Sequence, residues 1–152
     1  MTECRLIEPS TLLVSRRYRA PRGLVWKAWT EPARLKRWFG GADHVLEEVD
    51  IDLRVGGSLR KVFRSPQGDR VTVSGEYREV VEPEKLVHTW NVTGGGYAMR
   101  GTLVTITFAT AGQMTEVTVR HEGLDAAPDR ASHQKGWIDS LDRLAAEVES
   151  AA

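Results

Sequence analysis

The middle of the chain contains six consecutive segments with strand character, and the connections between most of them are only a few residues long. The alternation is clearest at the start, where the apolar Val49, Ile51, Leu53 and Val55 interleave with charged residues. A period of two places one set of side chains on a buried face and the other in water. Strands joined by such short connections must be antiparallel neighbours. The middle of the chain therefore predicts an antiparallel sheet.

Elements of two other kinds flank this region. A further strand is predicted over 11–19, followed by two short helices over 21–30 and 31–39, while residues 1–10 have the character of an irregular lead-in. From 128 to about 150, apolar residues recur at intervals of three and four, which predicts one long amphipathic helix. The expected class is α+β, with a strongly bent antiparallel sheet of about seven strands packed around a C-terminal helix.

Length and composition narrow the class of protein further. The 152 residues suggest a single domain over 1–152 with a core from about 12 to 148. Lys plus Arg and Asp plus Glu are equal at 21 each, so nothing in the charge balance indicates a nucleic-acid or membrane partner. The single cysteine, Cys4, forms no internal disulfide, and no stretch has the roughly 20 apolar residues of a membrane span. The expected location is the cytoplasm.

An ordered set of motifs adds a family resemblance. The chain contains APRGLVWKAWTEPARLKRWF, DLRVGGSLR, GEYREVVEPEKLVHTW, TEVTVRHEGL and HQKGWIDSLDRL, in that order. Together these resemble proteins similar to the activator of the heat-shock protein 90 ATPase, a family of the START-like (SRPBCC) superfamily. The resemblance covers about residues 12–148 and implies a helix-grip fold, in which a curved sheet holds a long C-terminal helix with a hydrophobic cavity between them. Superfamily relatives bind lipids, sterols, hormones or polyketides, and some cyclise or hydroxylate aromatic compounds.

Three histidines are predicted to face the interior. His88 and His121 share strand parity with apolar neighbours, and His133 lies on the apolar stripe of the last helix, four residues before Trp137. An inward imidazole can act as a general base, bind a ligand, or be a structural residue hydrogen-bonded to its neighbours. The spacing of these residues matches no zinc motif, so no metal or other cofactor is expected.

A set of apolar and amphipathic side chains is expected to line the cavity, because ligand pockets are mainly apolar with a few polar groups. The candidates are Trp38, Tyr77, Trp90, Met99, His121, His133 and Trp137. The glycine-rich segment Gly94–Gly101 is predicted to be a loop, either a gate over the cavity or a plain turn. Gly136 is predicted to mark a close approach of the last helix to another element.

Three functions are compatible with the sequence. The first is binding of a small hydrophobic or aromatic molecule in the cavity. The second is a cyclase- or hydrolase-like enzyme acting on a polyketide-like or aromatic substrate, with an inward histidine as acid or base. The third is a co-chaperone-like interaction module or homodimer, for which Trp26 on the first helix would be an exposed contact residue.

Overall fold

A computed structural model describes residues 2–8, 10–40 and 43–150. The strands are β1 (Glu3–Glu8), β2 (Thr11–Tyr18), β3 (Val45–Ile51), β4 (Ser58–Arg64), β5 (Arg70–Val81), β6 (Lys85–Gly94), β7 (Tyr97–Ala111) and β8 (Met114–Glu122). The helices are α1 (Arg22–Thr30), α2 (Pro32–Leu35) and α3 (Ala127–Glu149). No helix of the described residues is both long and apolar enough to cross a membrane.

All eight strands form one antiparallel sheet in the order β1-β2-β8-β7-β6-β5-β4-β3. The predicted α+β class with a sheet and a long C-terminal helix is confirmed, with eight strands in place of about seven. The additional strand is β1, in the segment expected to be an irregular lead-in. It pairs with β2 at the sheet edge, and Leu6 on it is half exposed. An edge strand held by backbone hydrogen bonds needs no buried face, so it carries little hydrophobic periodicity.

The long helix α3 lies against the inner face of the sheet. Trp137, Leu141, Leu144 and Val148 are buried along one stripe, and the hydroxyl of Tyr18 on β2 donates to the Leu141 carbonyl at 2.6 Å. This bond and the neighbouring packing hold α3 close to the β2 side of the sheet. The inner face of β4, β5 and β6 is therefore left with less of its area covered by the helix.

The two short helices complete the core at one end of the sheet. Trp26 and Trp29 on α1 both pack edge-on against Phe108, with ring centroids 5.4 and 5.7 Å apart. Trp26 is therefore buried, contrary to the expectation that it is exposed, because α1 packs against both β7 and α3 and buries more than one stripe. The second helix is shorter than the predicted 31–39 and ends at Leu35.

The predicted glycine-rich loop at 94–101 is largely strand. β6 continues to Gly94 and β7 begins at Tyr97, so only Gly95 and Gly96 form the turn of a tight hairpin. All three glycines have positive φ angles, which residues with a Cβ atom adopt only with strain. The hairpin brings Tyr97 to the N-terminal end of α3.

Candidate functional site

A cavity of about 440 Å³ lies between the inner face of the sheet and the first half of α3. Its floor comes from β4, β5 and β6, and its roof from the helix. No residue of β2 or β8 lines it, because α3 packs directly on that side of the sheet. Exposed residues of the β4–β5 turn, the β6–β7 hairpin and the start of α3 surround its mouth. The principal lining residues are Phe39, Phe63, Val71, Val73, Trp90, Val92, Tyr97, Asp129, His133, Gly136, Trp137 and Ser140.

Aromatic rings form the inner wall of the cavity. Phe39 lies at the centre of this wall, with its ring centroid 5.7 Å from that of Trp137, 6.1 Å from Phe63 and 6.4 Å from Trp90. Trp90 and Trp137 are 5.2 Å apart. Edge-on and tilted contacts of this kind are the favoured arrangements of aromatic pairs. The wall is therefore apolar and continuous from the sheet to the helix.

Gly136 faces this space from α3. A Cβ atom placed on Gly136 has no atom within 4 Å other than those of its own helix and chain neighbours. The predicted close approach to another element is therefore wrong. The glycine occurs where a side chain would project into open cavity volume, and its effect is to keep that volume empty.

His133 on α3 is held by hydrogen bonds on both ring nitrogens. The indole N–H of Trp90 donates to His133 Nε2 at 3.1 Å, and His133 Nδ1 lies 2.8 Å from the Asp129 carbonyl oxygen. Because an indole nitrogen only donates, Nε2 must be the acceptor and Nδ1 must carry the proton. The imidazole is therefore neutral, with its basic lone pair already engaged.

His121 on β8 has the corresponding arrangement with the nitrogens reversed. The indole N–H of Trp137 donates to His121 Nδ1 at 3.0 Å, and Nε2 lies 2.9 Å from the Thr102 hydroxyl oxygen. The Thr102 hydroxyl donates in turn to the Trp90 carbonyl at 2.7 Å. His121 is therefore the Nε2-protonated tautomer, and its lone pair is also occupied by an indole.

Both histidines are poor candidates for a general base in this state. Burial lowers the pKa of His121 well below its usual value and also lowers the pKa of His133. Protonation of either ring would convert an acceptor into a donor and break its bond to tryptophan. Together these features make the histidines neutral structural partners of the aromatic wall.

A buried lysine next to the wall was not among the sequence candidates. Lys61 on β4 is only 3% exposed, and its ammonium group lies 3.8 Å from the centroid of the Phe39 ring and 5.4 Å from that of Trp90. Burial lowers the pKa of Lys61 from 10.5 to about 7. The available signal was strand parity, because Lys61 lies on the same face of β4 as Leu59 and Phe63.

His88 on β6 lies behind the same wall. Its Nδ1 is 2.9 Å from the Thr89 carbonyl oxygen, and its ring stacks on Trp90 with centroids 6.1 Å apart. Burial, with a smaller contribution from the charge of Lys61, lowers the pKa of His88 to about 3. His88 is therefore buried and neutral, as its inward parity suggested, and it does not line the cavity.

The structure places three of the seven predicted lining residues, Trp90, His133 and Trp137, on the cavity surface. The other four are buried elsewhere. His121 lies on the side of the sheet covered by α3, and Trp38 is fixed by its indole N–H, which donates to the Ala28 carbonyl at 3.0 Å. Tyr77 packs edge-on against His88, and the sulfur of Met99 lies 3.4 Å from the Tyr97 hydroxyl oxygen.

The mouth of the cavity is polar. Tyr97 on the β6–β7 hairpin donates a hydrogen bond to Asp129 near the start of α3, which joins the two sides of the opening. Asp69 in the β4–β5 turn and His44 also line the cavity, and the sequence pattern had singled out neither. Within the described residues, no group of three or more His, Cys, Asp or Glu side chains has a metal-binding arrangement.

Comparison with known proteins gives a family and a common fold. The sequence model of the family described as Activator of Hsp90 ATPase homolog 1-like protein matches residues 19–149. A protein from Chromobacterium violaceum has a solved structure with a TM-score of 0.81 and 29% identity, covering 93% of this chain and 99% of that one. CalU16 from Micromonospora echinospora has a TM-score of 0.64 and 25% identity, covering 97% and 83%.

A third solved structure agrees in fold. The AHSA1 protein from Silicibacter pomeroyi has a TM-score of 0.78 and 24% identity, covering 91% of this chain and 96% of that one. No curated protein matches the chain in sequence.

Proposed function

The chain belongs to the Activator of Hsp90 ATPase homolog 1-like family, as the sequence motifs indicated, and on that basis we propose that it binds a small apolar or aromatic molecule between the sheet and α3. The observation that carries the proposal is the open, aromatic-walled cavity of about 440 Å³. Small-molecule sites are concave, mainly apolar spaces of about 300–1,000 Å³. The volume and the lining both fit this description.

The driving force would be burial of apolar surface. Each Å² of apolar area removed from water contributes roughly 25 cal/mol, and Phe39, Trp90 and Trp137 offer flat faces for an aromatic ligand. Ser140 supplies a polar contact. Its oxygen accepts the Gly40 N–H at 3.0 Å, which leaves the hydroxyl hydrogen available to a ligand acceptor.

Binding is favoured over acid–base catalysis by the state of the histidines. A cyclase- or hydrolase-like enzyme using His121 or His133 as base needs a free imidazole lone pair near the substrate. Indole N–H groups occupy both lone pairs, and His121 does not line the cavity. The burial of Trp26 removes the residue on which an interaction module was based. Homodimerisation and a cytoplasmic location stay predictions.

The proposal can be tested with a neutral fluorescent probe, N-phenyl-1-naphthylamine. We expect saturable binding with enhanced fluorescence and a rise in melting temperature, because ligand bound to the folded state alone stabilises it. Native mass spectrometry should give one probe per chain. Failure of this probe and of a panel of uncharged apolar and aromatic compounds to bind would refute the proposal.

A further inference from the structure

Lys61 is a buried cation for which the described part of the chain provides no counter-ion. The contacts of its ammonium group are the faces of two aromatic rings, and burial is the sole cause of its lowered pKa. Among residues 2–8, 10–40 and 43–150, no carboxylate lies within ion-pair distance of it. An uncompensated buried charge is costly and is normally paired or neutralised. An anionic group brought into the cavity beside Lys61 would offset this cost.

The Lys61 amine is separated from the cavity by the aromatic side chains that line it. Val73, the partner of Lys61 in the β4–β5 register, lines the cavity, as does Phe63 two residues along the same strand. The two rings that cover the ammonium group, Phe39 and Trp90, belong to the cavity wall. Lysine has a flexible four-carbon stem, and pairing with a ligand in the cavity requires the amine to turn past the Phe39 and Trp90 rings toward it.

We propose that the ligand is an apolar or aromatic molecule bearing one carboxylic acid, and that its carboxylate pairs with the ammonium group of Lys61 at the inner end of the cavity. The inference rests on the proposed binding function and specifies the class of ligand. A charge-assisted hydrogen bond of this kind is about twice as strong as a neutral one. The ligand would supply the counter-ion that Lys61 lacks.

The other charged groups around the cavity set the orientation of the ligand. Asp69 and Asp129 are among the residues at the mouth and would repel a carboxylate there. Two titratable side chains on this part of the sheet, Tyr77 on the adjacent β5 and His88 on β6, are buried with pKa values that keep them neutral near pH 7. The acid group would therefore point inward, with the apolar body along the aromatic wall.

Pairing also predicts a proton effect. With a pKa of about 7, the Lys61 amine is mostly neutral at pH 8 in the free protein. A carboxylate beside it favours the charged form, so acid binding at pH 8 should take up a proton. A lysine that does not contact the ligand would show no such uptake.

The test compares biphenyl-4-carboxylic acid with biphenyl-4-carboxamide, which has nearly the same shape and no charge. At about pH 6, we expect the acid to bind about tenfold or more tightly than the amide. Lys61→Met should reduce this ratio to one or below, because the carboxylate then has no cationic partner. The control is Arg60→Met, which removes the same charge from the outer face, where Arg60 pairs with Glu48 and Asp50, and should leave the ratio unchanged.

The outcomes separate the two proposals. Equal affinity of the wild-type protein for acid and amide would overturn the role of Lys61 and leave apolar binding intact. A ratio unaffected by Lys61→Met would do the same. If neither probe binds, and N-phenyl-1-naphthylamine also fails, both proposals fall. Should Lys61→Met not fold, calorimetry of acid binding to the wild-type protein at pH 8, in buffers of different ionisation enthalpy, decides the matter through the presence or absence of proton uptake.

Discussion

Substitution of Gly136 tests whether the space beside α3 is real. Glycine in a helix interior is about 1 kcal/mol less favourable than alanine, and a Cβ atom at this position meets nothing within 4 Å. Gly136→Ala should therefore raise the free energy of unfolding by about 1 kcal/mol. For a chain of this size the melting temperature should rise by about 2–4 °C. Chemical and thermal unfolding followed by circular dichroism measure both quantities.

A larger side chain at the same position should compete with the ligand. Burying a leucine side chain contributes about 1.5–3 kcal/mol, and a ligand must displace it or share the volume with it. Gly136→Leu should thus fold, while its affinity for N-phenyl-1-naphthylamine should fall about tenfold or more.

The matched control is Gly23→Ala near the start of α1. A Cβ atom there also meets nothing within 4 Å, but Gly23 does not line the cavity. It should leave probe affinity unchanged. Loss of stability in Gly136→Ala would show that the helix packs more closely than described. Unchanged probe affinity in Gly136→Leu would show that ligands bind elsewhere.

Three further predictions concern buried polar groups. Trp137→Phe leaves the His121 lone pair unsatisfied and should lower the free energy of unfolding by about 1–3 kcal/mol more than the control Trp29→Phe. Among the described contacts, the Trp29 indole makes no hydrogen bond. Equal losses in urea titrations of the two variants would show that the Trp137–His121 bond does not form. His88 has a folded pKa of about 3, below its unfolded value of 6.5, so the free energy of unfolding should fall as the pH drops below about 6.5. This residue should account for a fall of about 2 kcal/mol between pH 7 and pH 5. A smaller fall in the wild-type protein than in His88→Gln would contradict the prediction. Lys61 has a folded pKa of about 7, below its unfolded value of 10.5, so burying its charge destabilises the protein fully below pH 7. Lys61→Met should therefore raise the free energy of unfolding by on the order of 4 kcal/mol below pH 7, and by progressively less towards pH 10.5. A gain independent of pH would refute the buried charge.

Most of the fold could be predicted from the sequence, because strands and helices leave a periodic pattern of apolar residues. Alternation along the strands and the three-four spacing of α3 are properties of consecutive residues, and they are visible without knowing what lies opposite. The edge strand β1 was not predicted because backbone hydrogen bonds to β2 hold it and few of its side chains are buried, so its sequence shows little alternation.

The site was less accessible for two reasons. Strand parity shows which face a side chain is on but not how far along the sheet the helix leaves it uncovered, so it could not separate Trp90 from Tyr77 or His121. Lys61 was missed because lysine is almost never fully buried, so its parity with Leu59 and Phe63 was outweighed by its residue type.

The two tryptophan–histidine bonds run in opposite directions between sheet and helix. Trp90 on β6 donates to His133 on α3, and Trp137 on α3 donates to His121 on β8. Sliding or rotation of α3 over the sheet would break at least one of them, so together the two bonds fix the position of the helix on the sheet. The aromatic wall is consequently pre-organised, and little ordering entropy is lost when a ligand binds. Such a rigid wall discriminates by shape, so molecules that would require the helix to move should be rejected.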